Sequence, residues 1–252
     1  MHHFNAGLAP ATITTYLSAI SYVHKFADRS DPTRSFIVQK LLKGASKLQG
    51  SQDPRLPILP DTLRDLVESC HLVLHDPFDI ALMKAVYSTM FHAFLRIGEA
   101  TVRSPHDISK VIQFHDVSFS NNSSPSMSIF IRNFKHNKSR EPFVIHIKAV
   151  GGPHCPVAIL RAYLHLRGNH TGPLFCQRNG SPLNQSTFKC LFKRSLAALN
   201  LDPKLFLPHS FRIGAATHAA RSGLAAAEIQ HLGRWNSSAF MRYIRFSSLS
   251  FP

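Results

Sequence analysis

Apolar positions recur at helical spacing at the start of the chain. Over 8–27, Ile13, Leu17, Ile20 and Val23 fall on one face and Pro10 suits a first turn. A second helix is expected from about Ser35, with Phe36, Leu41 and Leu42 on one side and Lys40, Lys43 and Lys47 on the other. Pro54, Pro57 and Pro60 then preclude regular structure and predict an extended linker. After it Asp61 reads as the N-cap of a helix carrying Leu63, Leu66, Val67 and Cys70. A richly apolar helix follows over 79–92. Strands are expected over 111–119, 127–134 and 143–147, the first two joined by Asn121-Asn122-Ser123-Ser124-Pro125. Helices return over 156–167, 185–199, 209–222, 225–232 and 236–246. Tyr16, Tyr22, Tyr87 and Tyr163 sit at apolar helix-face positions and read as core.

Helices, then a small sheet, then helices, with no strand–helix–strand repeat, give a mainly α fold with a small antiparallel β-sheet (α+β). The proline cluster divides it into a small helical domain, 1–52, and a larger one, 53–252. Composition changes the picture in one respect. With 44% hydrophobic residues among 252 the chain can build a core, and its formal charge of +15 fits a polyanionic partner, as it would a basic ribosomal-type or membrane-surface protein. Cys70, Cys155, Cys176 and Cys190 form no Cys-x-x-Cys pair and read as reduced thiols, some of them in the core. The sixteen histidines show no zinc-site spacing, so neither metal nor cofactor is expected. No apolar run is long enough for a membrane helix, and Met1-His2-His3-Phe4-Asn5 is no signal peptide. The abrupt start suggests a piece of a longer protein.

The chemistry concentrates near the carboxy terminus. In Pro208-His209-Ser210-Phe211-Arg212 a His and an Arg one turn apart share a helix face at a start that favours anions. Gly214, Ala215 and Ala216 permit close packing behind them. Further on stand Trp235, the single tryptophan, and Tyr243, flanked by Arg242 and Arg245. A tyrosine beside an arginine clamp can attack a phosphodiester. Upstream, Arg96 sits in the apolar context Phe94-Leu95-Arg96-Ile97-Gly98-Glu99, where a charge needs a partner; Glu99 could orient a neighbouring cation. Between two expected strands lies the basic turn Lys135-His136-Asn137-Lys138-Ser139-Arg140. Each motif alone also has a plain structural reading: a surface ion pair, a solvated hairpin tip, a core tryptophan.

Together, in this order, they resemble the tyrosine recombinases, most closely the recombinase domains of eukaryotic DIRS- and Ngaro-type retrotransposons. The resemblance covers the catalytic domain over 53–252 and part of the helical core-binding domain over 7–50. It implies that Arg96 and Arg212 clamp one phosphate of double-stranded DNA. Tyr243 then attacks phosphorus, His209 assists proton transfer, and a hairpin lysine protonates the leaving 5′-hydroxyl. Counting back from the strand Val144–Ile147 favours Lys138, whereas the Lys-x-x-Lys-x-Arg pattern of Xer-type members favours Lys135; Lys138 is the choice here. The family's remaining position holds a His or Trp. Gap-free counting from Gly233 puts Arg234 there, while the chemistry of a directed indole N–H favours Trp235, the residue chosen. All family catalytic positions are filled. The resemblance further implies two domains closing on DNA as a clamp, a homotetramer on paired DNA sites, a C-terminal exchange element that is short here or supplied differently, and no small-molecule or membrane partner. It implies a nuclear location in a eukaryotic host, and an intracellular one in any other. The alternatives are a catalytically silent DNA-binding module derived from a mobile-element recombinase, and a topoisomerase-like nicking-closing enzyme.

Overall fold

The computed structural model describes residues 7–48, 53–120, 122, 124–134, 137 and 141–245. The chain divides into two compact units, Met1–Pro54 and Arg55–Pro252.

The amino-terminal unit is a helical pair. Helix α1 (Pro10–Phe26) starts with its proline where a missing N–H costs nothing, and α2 is Phe36–Leu48. Between them Asp31 caps a short 3₁₀ turn, Pro32–Arg34. It accepts from the Ser21 hydroxyl at 2.6 Å, the Thr33 hydroxyl at 2.6 Å and the Thr33 N–H at 3.0 Å. These bonds, Ser21's first and Thr33's next, push its carboxyl pKa down to about 2. Two helices share one seam, so most of their apolar faces stay open. Tyr16 and Tyr22 are accordingly exposed, Tyr22 by 68%, and are not core as their spacing suggested.

In the carboxy-terminal unit α3 (Pro60–Val73) buries Leu63, Leu66, Val67 and Cys70, one stripe at i, i+3, i+4 and i+7. Its N-cap is Leu59 and Pro60 is its first residue, so Asp61 is not the cap. Helix α4 (Pro77–His92) is capped by Asp76, which accepts from the Phe78 N–H at 2.7 Å. Residues 85–91 of α4 are all buried, which makes it the central helix. Around Tyr87 the rings of Phe188, Phe192 and Phe211 close at 6.0, 5.9 and 5.6 Å. After the short helix α5 (Ile97–Ala100) come β1 (Val117–Ser120), β2 (Ser126–Ile131) and β3 (Phe143–Lys148). They form an antiparallel sheet in the order β1-β2-β3, pairing Val117 with Ile129 and Ile129 with Ile145. Met127, Ile129 and Ile131 alternate inward with Ile145 and Ile147. Then follow α6 (Pro156–Arg167), α7 (Gln185–Ala198), α8 (Ser210–Arg221) and α9 (Ala226–Leu232).

Three expectations give way to tertiary context. Residues 111–116 are not strand: Val111 and Ile112 are buried, but Ile112 bonds to Glu99 and Leu174 and a 3₁₀ turn covers Phe114–Asp116. The proline segment is extended as expected, yet from Arg55 it belongs to the carboxy-terminal unit. The Leu56 and Ile58 N–H groups donate to the carbonyls of Leu205 and Ser210 at 2.8 and 3.1 Å, and Ile58 is core. Finally, 236–246 is no α-helix in its described part but a 3₁₀ turn, Ser238–Tyr243. Residue 246, like Asn121 and Ser123 of the expected strand turn, lies outside the described residues. Three cysteines are buried and Cys190 is exposed, all as free thiols. Among the described residues no helix is long and apolar enough to cross a membrane, and no His, Cys, Asp or Glu cluster suits a metal.

Candidate active site

Helix α8 has to run close under the strand-like segment 56–58 to reach the site, and Gly214 allows it. A Cβ at Gly214 would stand 1.7 Å from the Ile58 carbonyl oxygen. This approach anchors the first turn of α8, with His209 as its N-cap residue and Arg212 within it. Arg212 is fully buried. Its Nη1 donates to the Phe94 carbonyl at 2.6 Å and its Nη2 donates to the Gly233 carbonyl. Its Nε–H has no hydrogen-bond partner among the described residues.

The Phe94 carbonyl is available because α4 ends abruptly. Phe94 has φ +51°, a left-handed conformation, and the chain then turns into α5 with Arg96 as N-cap. The Glu99 carboxylate reaches back to the Arg96 N–H at 2.9 Å and to its Nη1 at 3.0 Å. Arg96 itself keeps 26% of its side chain exposed, while Glu99 is buried.

The third segment is the turn after α9. Arg234 also has a left-handed φ, +54°. Gly233 is required here in another way: a Cβ would stand 1.6 Å from the Trp235 ring, so the indole lies directly on the backbone. From that seat Trp235 covers the Arg212 guanidinium, 4.2 Å from ring centre to Cζ. Its other neighbours are Phe240 and Tyr243, stacked at 5.7 and 5.4 Å, and Phe94 edge-on at 6.4 Å. The His209 ring stands 4.9 Å from the Tyr243 ring. Thr217 fixes the tyrosine's backbone: its hydroxyl donates to the Tyr243 carbonyl at 3.1 Å and accepts from the Arg245 N–H at 3.1 Å.

Five of the six site residues expected from the sequence thus share one neighbourhood. Trp235 joins Arg212 to Tyr243, His209 adjoins Tyr243, and Glu99 links Arg96 through Arg234 to the same carbonyl that Arg212 uses. Lys138, and its competitor Lys135, lie outside the described residues. The other alternative, Arg234, is 5% exposed and turned toward Glu99 at 2.7 Å. Motif reading passed over Thr217 and the backbone acceptors Phe94 and Gly233. Thr217 carried a faint signal, since it lies on the same helix as His209 and Arg212.

Electrostatically the site is overloaded with cations. Arg96, Arg212 and Arg234 gather around one carboxylate, Glu99. Burial first, then repulsion from Arg96 and Arg234, pushes the Arg212 pKa down, to about 8. A guanidinium keeps its proton in proteins. The same forces therefore express themselves as attraction for an incoming anion. The site opens onto a cleft of about 920 Å³ lined by Arg96, Arg103, Lys110, Arg132, Asn137 and His209. Lys110 and Arg132 are paired with Asp107 and Asp116 at 2.8 and 2.6 Å, respectively. The remaining lining cations give this wall a positive character that attracts oxyanions.

Comparison with known proteins gives a consistent answer. A family model described as "Phage integrase family" matches residues 58–248. The chain is 26% identical over 246 residues to an "Integrase/recombinase xerD homolog" of Selenomonas ruminantium, covering 92% of this chain and 67% of that protein. Among solved structures it resembles XerH site-specific recombinase bound to palindromic difH substrate in a post-cleavage complex. That likeness has a TM-score of 0.65 at 18% identity, over 95% of this chain and 65% of the other. It also resembles the Tn1549 transposon integrase in complex with circular-intermediate DNA. There the TM-score is 0.63 at 16% identity, over 97% of this chain and 78% of that one. The chain thus spans about two thirds of the length of the XerD homolog and of XerH. By its fold, by the match across most of its carboxy-terminal unit and by the order of its motifs, the chain belongs to the Phage integrase family, the tyrosine recombinases.

Proposed function

We propose that this protein cleaves and rejoins double-stranded DNA through a 3′-phosphotyrosyl intermediate. The observation that carries the reading is the Tyr243 ring packed against both His209 and Trp235, with the buried Arg212 guanidinium over the same indole. A phenol so placed stands beside a cationic site whose charge exceeds that of its one carboxylate. Such a site favours the extra negative charge of a pentacoordinate phosphorus over the ground-state diester.

In the first step the Tyr243 oxygen bonds to phosphorus and the bond from phosphorus to the 5′-oxygen breaks. His209 takes part in removing the phenol proton, and Lys138 gives a proton to the departing 5′-oxygen. Arg96 and Arg212 hold the non-bridging oxygens. The 5′-hydroxyl of a second strand then attacks the phosphotyrosine, a new diester forms and Tyr243 regains its proton. The diester's energy is kept in the covalent link, so no nucleotide is consumed. Support for DNA as partner comes from the +15 charge and from relatives such as the lambda integrase dimer, solved on a core DNA site.

The reading extends to recombination or integration by a homotetramer on paired sites, on behalf of a mobile element of the DIRS or Ngaro retrotransposon type. In a eukaryotic host the DNA would be met in the nucleus. Incubation with a nicked suicide duplex, followed by denaturing electrophoresis, tests the chemistry. The unaltered chain should form a covalent adduct. Tyr243→Phe should bind the duplex equally well and form none, since the ring without its oxygen cannot attack. Binding without any adduct from the unaltered chain would make it a silent DNA-binding module instead.

A further inference from the structure

We propose that Arg234 is a positioning residue for strand cleavage, the buried strut that holds Arg96 and Arg212 in register; this rests on the strand-transfer reading above. Its side chain touches three separate segments. Nη2 donates to Glu99 Oε2 at 2.7 Å and to the Phe94 carbonyl at 3.1 Å. Nη1 points at the carbonyls of Ala93 and Leu232, at 3.4 and 3.3 Å. The rings of Phe143 and Phe134 lie 5.5 and 6.0 Å from its Cζ and close it off from solvent.

Both clamp arginines depend on acceptors that Arg234 also holds. Arg96 is oriented by Glu99, whose other oxygen Arg234 occupies. Arg212 donates to the Phe94 carbonyl, which Arg234 shares, and to the Gly233 carbonyl, next to Arg234 in the chain. Without Arg234 the Glu99 Oε2 would keep the Arg96 N–H as its one donor among the described residues, beside two guanidiniums. It would then compete with the substrate phosphate for them. The end of α4 and the turn after α9 would also be left with Arg212 alone as a shared cation among the described residues. A planar fork spans these acceptors, whereas the ammonium of a lysine, a single point, cannot. The left-handed backbone of Arg234 is consistent with a side chain whose position outranks local comfort.

The test is single-turnover cleavage of the suicide duplex, with rate constant and adduct amplitude read separately and affinity measured in the Tyr243→Phe background. Arg234→Met should slow the rate constant by about 100-fold, the scale expected when reacting groups are misplaced by about an ångström, with affinity unchanged. Arg234→Lys should recover part of that loss, and covers the case in which Arg234→Met fails to fold. The double variant E99Q/R234M should be no slower than R234M alone, because both changes act through one carboxylate. Lower amplitude at an unchanged rate constant would mean that Arg234 only stabilises the fold, and would overturn the inference. So would additive losses in the double variant. If the unaltered chain forms no adduct, the strand-transfer reading fails and takes this inference with it; a normal adduct from the unaltered chain with an equally fast Arg234→Met sinks this inference alone.

Discussion

The two units of this chain use the same kind of amphipathic helix and differ in what the apolar face meets. In the amino-terminal unit α1 and α2 carry large apolar side chains that remain open, Phe36 by 74% and Tyr22 by 68%, and Pro10 is the one buried residue among those described there. In the carboxy-terminal unit the same spacing on α3 is buried outright, because α4 and α7 lie against it. Amphipathic spacing therefore tells where a helix forms and which face is apolar. Whether that face contributes free energy depends on having enough neighbours to exclude water, and a two-helix pair has too few. The second lesson concerns charge. The amino-terminal unit keeps its cations at the surface, whereas the carboxy-terminal unit buries Arg212 and Arg234, at a cost that backbone carbonyls, Glu99 and aromatic rings offset.

The comparison can be broken most directly by equal truncations in the two units. Phe192→Ala removes a ring packed against Tyr87 and Phe211 and should cost about 3–5 kcal/mol. Phe36→Ala should change stability by no more than about 0.5 kcal/mol. Denaturant unfolding followed by the fluorescence of Trp235, the single tryptophan, reports on the carboxy-terminal unit; the first variant's change should appear there. Circular dichroism covers the helices of both units. Similar losses from the two variants would show that the amino-terminal face is packed after all.

A smaller effect is expected from Gly214→Ala. The new methyl meets the Ile58 carbonyl at 1.7 Å, so α8 and segment 56–58 must separate, for about 1–3 kcal/mol. Because α8 carries Arg212, adduct formation should fall with it, whereas Gly44→Ala on α2, with nothing within 4 Å, should leave both intact.

The smallest expected effect is a pH slope. Burial holds the His92 pKa below its ordinary value of 6.5, and His218 nearby adds to this, against a hydrogen bond to the Ser88 carbonyl. His218 on α8, and Arg64, Glu68 and His154 around the same small cavity, are the other charged or titratable groups facing it. A histidine depressed in the folded state stays neutral there while the unfolded chain takes up its proton. Stability is thus full above about pH 6.5 and declines as pH falls, by at most about 1.4 kcal/mol per pH unit for one proton. His92→Gln should flatten this slope between pH 7 and 5; an unchanged slope would assign it to another group.

Much of the fold is legible in the sequence because periodicity and punctuation agree. Helix α6 spans 156–167 as its pattern predicts, and the paired parts of β2 and β3 follow alternating apolar positions. The misreadings share one cause, contacts distant in sequence. Val111 and Ile112 alternate with nothing, and the backbone of Ile112 bonds to Glu99 and Leu174 rather than to a neighbouring strand. Pro54 and Pro57 disfavour a helix before Pro60 but cannot say whether an extended segment is free or docked, and Ile58 settles that by entering the core. The site was legible as a set of residue types in order. Thr217 was barely legible, because a single hydroxyl on the helix that carries Arg212 is only a faint signal.

The sequence by itself determined most of the element types, the clustered cations and the candidates Arg96, His209, Arg212, Trp235 and Tyr243, since these depend on local propensity and on chemistry each side chain carries anywhere. Only the tertiary structure decided how they are used. It put Arg234 against Glu99 instead of in the open site, buried Arg212 on two carbonyls, and laid Trp235 on Gly233 in contact with both that guanidinium and the tyrosine. Those roles follow from desolvation and from acceptors supplied by the chain ends of α4 and α9, and neither quantity exists until distant segments meet.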